Sequence, residues 1–221
     1  MNKKINIAID GPSGVGKSTV AKLVAKELDL IFINTGLMYR AIGYFCLQNN
    51  IDLGDEKKIL SNILNIKLEL LPNEIIKLND VNITKNLWVD EISISASKVA
   101  KLKSIREFCV KKQQEIAKSK PGVVMEGRDI GSVVLKDAQL KIFLVANNDT
   151  RVERRLKQLL EKGENINKEE VLKNIIERDK RDSEREITPL VKVSEAIEIN
   201  TSNLTIEQVV KQIVDLAKNR I

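Results

Sequence analysis

The sequence predicts an α/β fold in which a parallel sheet of about five strands is covered by helices on both faces. Short apolar runs typical of strands buried on both sides alternate with segments of helical spacing through most of the 221 residues. A regular two-residue alternation between residues 63 and 92 interrupts this rhythm. A glycine-rich turn follows the first strand directly. We therefore expect one three-layer domain over residues 1–221 with a small antiparallel insert at about 63–92.

The first half of the chain can be assigned element by element. It predicts, in order, a strand at residues 5–9, a helix around 20–28, a strand at 31–34 and a helix at 37–49. Within the insert, residues 66–70 and 75–78 alternate as extended segments, and Asn79-Asp80, directly after the second, is a plausible turn between extended segments. The regular alternation favours a small sheet over an irregular loop.

The second half returns to alternating helices and strands. Helical patterning resumes near Ser93, and Ser104 has capping-box spacing that either starts a new helix or kinks a longer one. Pro121-Gly122 ends this helical region. Three further strands are predicted at 123–125, 140–145 and 196–199. Capping-box spacing predicts that helices begin at Thr150, Asn167 and Thr205, and Gly163 would end the first of these three.

Composition excludes several kinds of function. The chain has no histidine, so imidazole acid–base catalysis and histidine metal ligation are excluded. Cys46 and Cys109 lack metal-ligand spacing and are predicted to be reduced. The aromatic share of 3% argues against stacking of nucleic-acid bases, and the net charge of +6 suits nucleic acid, an anionic membrane surface or small polyanions such as nucleotides. The absence of an apolar leader or a membrane span predicts a cytoplasmic protein with no membrane partner. The low aromatic share and the lack of a long Lys/Arg block predict no nucleic-acid partner.

The glycine-rich turn after the first strand has the spacing of a phosphate-binding P-loop. Its glycines let backbone N–H groups point at phosphate oxygens, and the following helix presents its positive end to the same anion. Lys17 is expected to reach the β- and γ-phosphates, and Ser18 to ligate Mg²⁺. The predicted ATP-binding residues are Gly11, Pro12, Ser13, Gly14, Val15, Gly16, Lys17, Ser18 and Thr19.

The residues that follow the next two strands favour a kinase with a phosphorylated acceptor. Arg40 lies early in the second helix, and Arg128 follows the strand at 123–125. Ligands of open parallel sheets gather at the carboxyl ends of the strands, so both arginines can converge near the P-loop. There they would donate bidentate hydrogen bonds to the phosphate of the acceptor.

Two later helices carry further candidates. On the helix from Asn167, an apolar stripe of Val171 and Ile175 continues into charged residues, which predicts that these line a cleft: Arg178, Asp182 and Arg185. The preceding helix carries Arg151, Arg154 and Arg155. We expect a short arginine-rich lid at about 149–166 that neutralises charge in the transition state. The predicted catalytic residues are Lys17, Arg128, Arg151 and Arg155.

The combination of motifs resembles the bacterial cytidylate kinase family over essentially the whole chain. The segments that carry the resemblance are residues 10–18, Thr35-Gly-Leu-Met-Tyr39-Arg40, Ala96-Ser97 with Arg106 downstream, residues 126–131 and residues 177–182. The resemblance implies transfer of phosphate from ATP, with Mg²⁺, to CMP or dCMP, and an insert that binds the nucleoside monophosphate.

The resemblance also implies roles for individual residues. Arg40 and Arg128 would hold the acceptor phosphate, Arg178 and Asp182 the sugar, and a third group the cytosine: Ser97, Arg106, Asp129 and Arg185. Thr35 and Tyr39 belong to the substrate-binding motif around Arg40. Asn34 departs from the aspartate that the family often has there, which leaves the role of this position open.

Two other functions remain open at this stage. One is a different small-molecule P-loop kinase that acts on UMP, AMP or a sugar-like acceptor. The other is a GTP-dependent switch or a regulatory RNA-binding module. The second is disfavoured because Asn167-Lys-Glu-Glu170 lacks the aspartate of a guanine-reading motif and opens a helix. The expected ligands are ATP and CMP or dCMP, and we expect a monomer.

Overall fold

The computed structural model describes residues 5–72, 74–161, 163 and 167–220. Its strands are β1 (Ile7–Asp10), β2 (Ile31–Asn34), β3 (Leu68–Leu71), β4 (Ile75–Leu78), β5 (Val81–Asn82), β6 (Val123–Glu126), β7 (Leu140–Val145) and β8 (Ile197–Asn200). Its α-helices are α1 (Lys17–Glu27), α2 (Gly36–Gln48), α3 (Glu56–Ile63), α4 (Asp90–Val99), α5 (Lys103–Lys118), α6 (Asn148–Leu160), α7 (Lys168–Ser183) and α8 (Ile206–Lys218).

The main sheet has five parallel strands in the order β2-β6-β1-β7-β8, which confirms the predicted fold class. All four residues of β1 and all four of β6 are buried, as expected for central strands covered on both faces. The P-loop leaves the end of β1, so it lies at the centre of the sheet. Strands β6 and β7 flank it on either side.

Alternate residues of the central strands pack into two separate hydrophobic cores, because successive side chains of a strand point to opposite faces of the sheet. Ile7 and Ile9 pack with α1 and α8 on one face. Ala8 and Met125 pack on the opposite face with α2, α4 and α5. Helices therefore cover both sides of the sheet and complete the predicted three layers.

The predicted insert contains a three-stranded antiparallel sheet in the order β3-β4-β5. Leu68, Leu70, Ile76 and Leu78 are buried and join the same core as α2, so the small sheet is packed onto the main domain. The turn at Asn79-Asp80 has positive φ at both residues, which suits the short polar side chains found there.

Several helix ends differ from the expected ones. Helix α6 begins at Asn148, and its cap is Asn147, whose side chain accepts from the Thr150 N–H; the prediction that Thr150 starts it was wrong. A new helix does begin near Ser104, at Lys103, but without a side-chain cap. The caps at Asn167 and Thr205 are confirmed, the latter as a complete capping box.

Helices α6 and α7 pack against each other through a small apolar cluster of their own, built on Val152, Leu159, Val171 and Ile175. The predicted lid at 149–166 falls partly on residues 162 and 164–166, which lie outside the described residues. Within the described part of the chain, no helix combines the length and the apolar character needed to cross a membrane.

Candidate active site

A cleft of about 620 Å³ opens at the carboxyl ends of β1, β2 and β6. Most of the residues singled out from the sequence line it. They are Ser13, Gly14, Gly16, Lys17, Ser18, Thr19, Thr35, Tyr39, Arg40, Ser97, Arg106, Arg128, Asp129, Arg155, Arg178, Asp182 and Arg185. Four predicted site residues do not line it: Gly11, Pro12, Val15 and Arg151.

The P-loop needs its glycines for two different reasons. Gly11 has φ 147°, and a Cβ there would lie 2.2 Å from the Leu144 carbonyl oxygen, so only glycine fits between the loop and β7. Gly14 and Gly16 have φ of 79° and 93°, in the left-handed region that a side chain disfavours. The resulting turn delivers the loop directly into the N-terminus of α1.

Lys17 is the first residue of α1 and is 6% exposed. Its Nζ donates a 2.6 Å hydrogen bond to the Pro12 carbonyl oxygen, so the side chain folds back over the loop. Burial, reinforced by the charge of Arg128, holds the pKa of Lys17 well below its usual value. A buried cation of this kind gains stabilisation from an anion placed beside it.

A residue that the sequence analysis missed completes the polar wall next to the P-loop. The Ser18 Oγ donates a 2.7 Å hydrogen bond to Glu126 Oε1 at the end of β6. A hydroxyl and a carboxylate are hard oxygen donors, which are the ligands that Mg²⁺ prefers. Glu126 directly follows the strand predicted at 123–125, and this position was the sequence signal that could have identified it as a site residue.

The acidic residue Asp10 ties the P-loop strand to the segment after β6. Its carboxylate accepts from the backbone N–H groups of Ile130 and Gly131 at 2.9 and 2.7 Å. These residues follow Arg128 and Asp129 directly, so Asp10 fixes the turn that presents both side chains. Burial raises the pKa of Asp10 to about 6.

Arg40 and Arg128 both face the cleft. The Arg40 Nη1 donates to the Leu87 carbonyl at 2.7 Å, its guanidinium lies over the Trp88 ring, and burial lowers its pKa to about 9. The Arg128 Nε donates to Asp182 Oδ2 at 2.7 Å. The predicted convergence of these two arginines on one cavity is therefore observed.

Arg178 and Asp182 lie one turn apart on α7, with 3.9 Å between Arg178 Nε and Asp182 Oδ2. Although burial opposes ionisation, Arg128 and Arg178 hold the pKa of Asp182 below its usual value. The buried Arg178 Nε makes no hydrogen bond to the described residues, and burial lowers the pKa of Arg178 to about 10. Unsatisfied buried donors are rare in folded proteins, so this one favours a ligand contact.

A second charged cluster closes the far end of the cleft. The Arg106 Nη2 donates to Asp129 Oδ2 at 2.5 Å, and Arg106 is 2% exposed above the Tyr39 ring. Arg185 Nη2 lies 3.8 Å from Asp129 Oδ1 and makes no hydrogen bond to the described residues. Asp129 thus lies between two arginines in a site shielded from solvent.

Other predicted residues have partners that the sequence did not indicate. Ser97 accepts from Arg181 Nε at 3.1 Å, and the Thr35 hydroxyl donates to the Glu126 carbonyl at 2.7 Å. Arg155 Nη2 donates to Asp90 Oδ1 at 2.6 Å at the edge of the cleft. None of these three partners was predicted, because each hydrogen bond joins residues that are distant in the sequence.

Asn34, the departure from the family pattern, contacts the tip of the antiparallel insert. Its Nδ2 donates to Glu74 Oε1 at 3.2 Å, and Lys22 on α1 forms an ion pair with Glu74 Oε2 at 3.1 Å. An aspartate in place of Asn34 would set two carboxylates against each other here. The amide is therefore compatible with Glu74 where an ionised carboxylate is not.

Arg151 lies outside the cleft. It is 5% exposed, its Nε donates to the Ser13 carbonyl at 2.6 Å, and its Nη2 donates to Asp179 Oδ2. Nothing in this arrangement brings its guanidinium to the cavity. Its predicted catalytic role therefore stays a prediction without a supporting contact.

A parallel sheet with a P-loop at its central strand, facing a cleft lined with arginines, defines a P-loop kinase. A family model described as cytidylate kinase matches residues 7–219. The chain belongs to this family.

Curated relatives agree with this membership. The chain is 44% identical to a cytidylate kinase of Bacillus subtilis over 223 residues, covering 100% of this chain and 99% of the relative. It is also 44% identical to a cytidylate kinase of Bacillus cereus over 219 residues, covering 98% and 97%.

Among solved structures, a gluconokinase from Sinorhizobium meliloti superposes with a TM-score of 0.52 at 14% identity, covering 100% of this chain and 95% of that chain. An uncharacterized protein from Eubacterium ventriosum gives a TM-score of 0.53 at 17% identity, covering 99% and 100%. At these identities the two structures support the fold alone.

Proposed function

We propose that this protein transfers the γ-phosphate of ATP to CMP or dCMP, which yields ADP and CDP or dCDP. The observation that carries the proposal is one cleft that joins the P-loop at one end to the buried Arg106–Asp129 pair at the other. Family membership and the cytidylate kinase relatives support the same activity.

On the donor side, the backbone N–H groups of residues 14–18 and the N-terminus of α1 bind the phosphates of ATP. Lys17 contacts the β- and γ-phosphates. Ser18 would hold Mg²⁺, with Glu126 beside it, and the bound ion would supply neutralisation of phosphate charge. The hydrogen bond between these two side chains supports this pairing, since it brings hydroxyl and carboxylate oxygens together.

On the acceptor side, Arg40 and Arg128 bind the phosphate of CMP as bidentate donors. Arg178 and Asp182 contact the sugar, and the free Nε of Arg178 supports a donor role there. Thr35 and Tyr39 shape this wall of the cleft, because Thr35 is tied to Glu126 and the Tyr39 ring lies beneath Arg106.

The base is read at the far end of the cleft. Cytosine presents an N4 amino donor beside the N3 and O2 acceptors, whereas uracil presents an O4 acceptor and an N3–H donor. Asp129 accepts from the N4 amino group, and Arg106 and Arg185 donate to N3 and O2. Ser97 completes this wall, with its oxygen held by Arg181.

The chemistry is stabilisation of charge and alignment of the two nucleotides, since phosphoryl transfer passes through a loose transition state. Lys17 and Arg128 flank the transferred group, and Arg155 joins them from the lid at 149–166. The insert at 63–92 closes over the acceptor within the single domain 1–221. Arg155 supports this picture because it lines the cleft and also contacts Asp90 near the end of the insert.

We further propose a cytoplasmic monomer. The cytoplasm supplies ATP and nucleoside monophosphates, and both cysteines are buried free thiols, as in a reducing compartment. Residues of a single chain line the cleft from the P-loop to Arg106, which supports a monomer.

The test is a measurement of ADP formation from ATP and Mg²⁺ against CMP, dCMP, UMP, AMP and GMP, with GTP as an alternative donor. The Lys17→Ala variant, purified in the same way, reports contaminating kinases. We expect the largest kcat/KM for CMP and dCMP. A larger value for UMP or AMP would reassign the acceptor, and GTP hydrolysis without any acceptor would support the switch instead.

A further inference from the structure

The peptide groups on both sides of Ser13 in the P-loop are held by two side chains, one from α6 and one from α7. The Ser13 N–H donates to Asp179 Oδ1 at 3.1 Å, and the Arg151 Nε donates to the Ser13 carbonyl at 2.6 Å. Arg151 Nη2 also donates to Asp179 Oδ2, which closes a ring. We call Ser13, Arg151 and Asp179 the Ser13 clamp.

The clamp is a partly buried, close-packed contact. Arg151 is 5% exposed and is further fixed by Asn148 Oδ1 at 3.2 Å. A Cβ on Gly14 would lie 3.3 Å from the Arg151 Cβ, so the P-loop turn rests directly on α6. Arg151 and Asp179 do not line the cleft, and both contact the backbone of the loop at Ser13.

Each hydrogen bond of the clamp orients a peptide plane. In a trans peptide the C=O and N–H groups point in opposite directions. Because Arg151 holds the Ser13 carbonyl, the Gly14 N–H of the same peptide points away from Arg151, and Gly14 lines the cleft. The neighbouring peptide is held in the same way, with Lys17 on the Pro12 carbonyl and Asp179 on the Ser13 N–H.

We propose that Asp179 and Arg151 are positioning residues that preset the P-loop backbone for the donor phosphates. This inference rests on the proposed use of ATP. Asp179 lies on α7 between Arg178 and Asp182, so one helix both holds the donor loop and presents two acceptor residues. Arg151 accordingly serves ATP through the Ser13 peptide and has no direct contact with the transferred phosphate.

The test compares Asp179→Ala, Asp179→Asn and Arg151→Lys with the control Lys180→Ala, whose exposed ion pair with Glu184 lies on the same helix. The readouts are the ATP dissociation constant from calorimetry without acceptor, the separate KM values for ATP and CMP, and the melting temperature. Asp179→Ala removes the hydrogen bonds to the Ser13 N–H and to Arg151, whereas Asp179→Asn keeps one oxygen that can accept. Arg151→Lys keeps the positive charge but removes the planar guanidinium that contacts Ser13 and Asp179 together.

We expect Asp179→Ala to raise the dissociation constant and KM for ATP by roughly tenfold to a hundredfold, as for the loss of hydrogen bonds to a charged group. The two conservative variants should give smaller rises, and Lys180→Ala should match the wild type. The KM for CMP should change by less than about threefold in all four, as expected where direct contacts persist. If Asp179→Ala does not fold, Asp179→Asn decides the question.

An unchanged ATP dissociation constant in a folded Asp179 variant would overturn the proposal, even if its melting temperature falls. Equal rises in the KM values for ATP and CMP would also overturn it, because they would indicate a general disturbance of α7. The calorimetric measurement separates this inference from the proposed function. If the wild type binds ATP but does not phosphorylate CMP, the acceptor assignment fails while the clamp can still be tested.

Discussion

Replacing Asp129 by asparagine tests whether this carboxylate selects cytosine over uracil. Asp129 is 5% exposed and accepts from Arg106, with Arg185 3.8 Å away. Alanine would leave the buried Arg106 without its partner, which costs about 3–5 kcal/mol of folding stability and would obscure the effect on recognition. Asparagine keeps the size of the side chain and one oxygen that can accept from Arg106.

The magnitude follows from the donors and acceptors on each base. The carboxylate pairs with the N4 amino group of cytosine but faces the O4 lone pairs of uracil. A buried polar group left unpaired costs about 1–3 kcal/mol, which is roughly tenfold to a hundredfold in kcat/KM. Asparagine offers both an oxygen and an amino group, so it tolerates either base. We expect the CMP/UMP ratio of kcat/KM to shrink by that factor.

The assay measures ADP formation with CMP and UMP for the wild type, Asp129→Asn and the control Asp137→Asn, an exposed aspartate away from the cleft. Melting temperatures exclude partial unfolding. If activity with both acceptors falls by the same factor, Asp129 orients other groups and does not read the base. The structure already disfavours one such role, since Arg128 is hydrogen-bonded to Asp182 and not to Asp129.

Three further predictions concern the same cleft. Lys17→Ala should lower kcat by about a thousandfold or more, because it removes the cation that stabilises the transferred phosphate. The melting temperature should change little, because burial already disfavours this charge in the folded protein. Near-normal turnover would contradict the P-loop assignment. Arg178→Ala and Asp182→Ala should each raise the KM for CMP far more than that for ATP; loss of folding with acceptor affinity intact would instead mark them as structural. The pKa of Asp10 is raised to about 6 from an ordinary 3.8, so the protonated side chain contributes to the stability of the fold. This contribution is fully present below about pH 4 and is lost as the pH rises to about 6. Chemical denaturation measures the free energy of unfolding of the wild type and of Asp10→Asn at each pH. We expect the value for Asp10→Asn to rise relative to the wild type by up to roughly 3 kcal/mol between pH 4 and pH 6. A difference that stays constant with pH would contradict the raised pKa.

Local patterns were sufficient to predict the sheet and the P-loop. Strands such as β1 are buried on both faces, so a short apolar run identifies them from the sequence alone. The alternation at 66–78 likewise identified β3 and β4. Helix α3 was missed because it is only 8 residues long and buries just two of them, Ile59 and Ile63. Thr150 was chosen as a cap because Glu153 gives it capping-box spacing, whereas Asn147, the actual cap, has Thr150 at that position.

Pairings between distant residues could not be read from the sequence. Ser18 bonds to Glu126 and Ser13 to Asp179, and each contact depends on how strands and helices assemble. Arg151 illustrates the limit best. Its place in an arginine-rich helix predicted a catalytic lid residue, but the side chain is directed to the Ser13 peptide by packing that no local pattern encodes.

The strand order has a consequence for how the protein is made. Strand β1 appears first from the ribosome, yet Ile7 pairs with Val124 on one side and Leu140 on the other, both encoded after the whole antiparallel insert. Until β6 and β7 emerge, β1 has two unpaired edges, which are prone to aggregation. Such distant pairing also predicts slow folding. We therefore expect nascent chains that end before β7 to depend on chaperones and to bind no nucleotide.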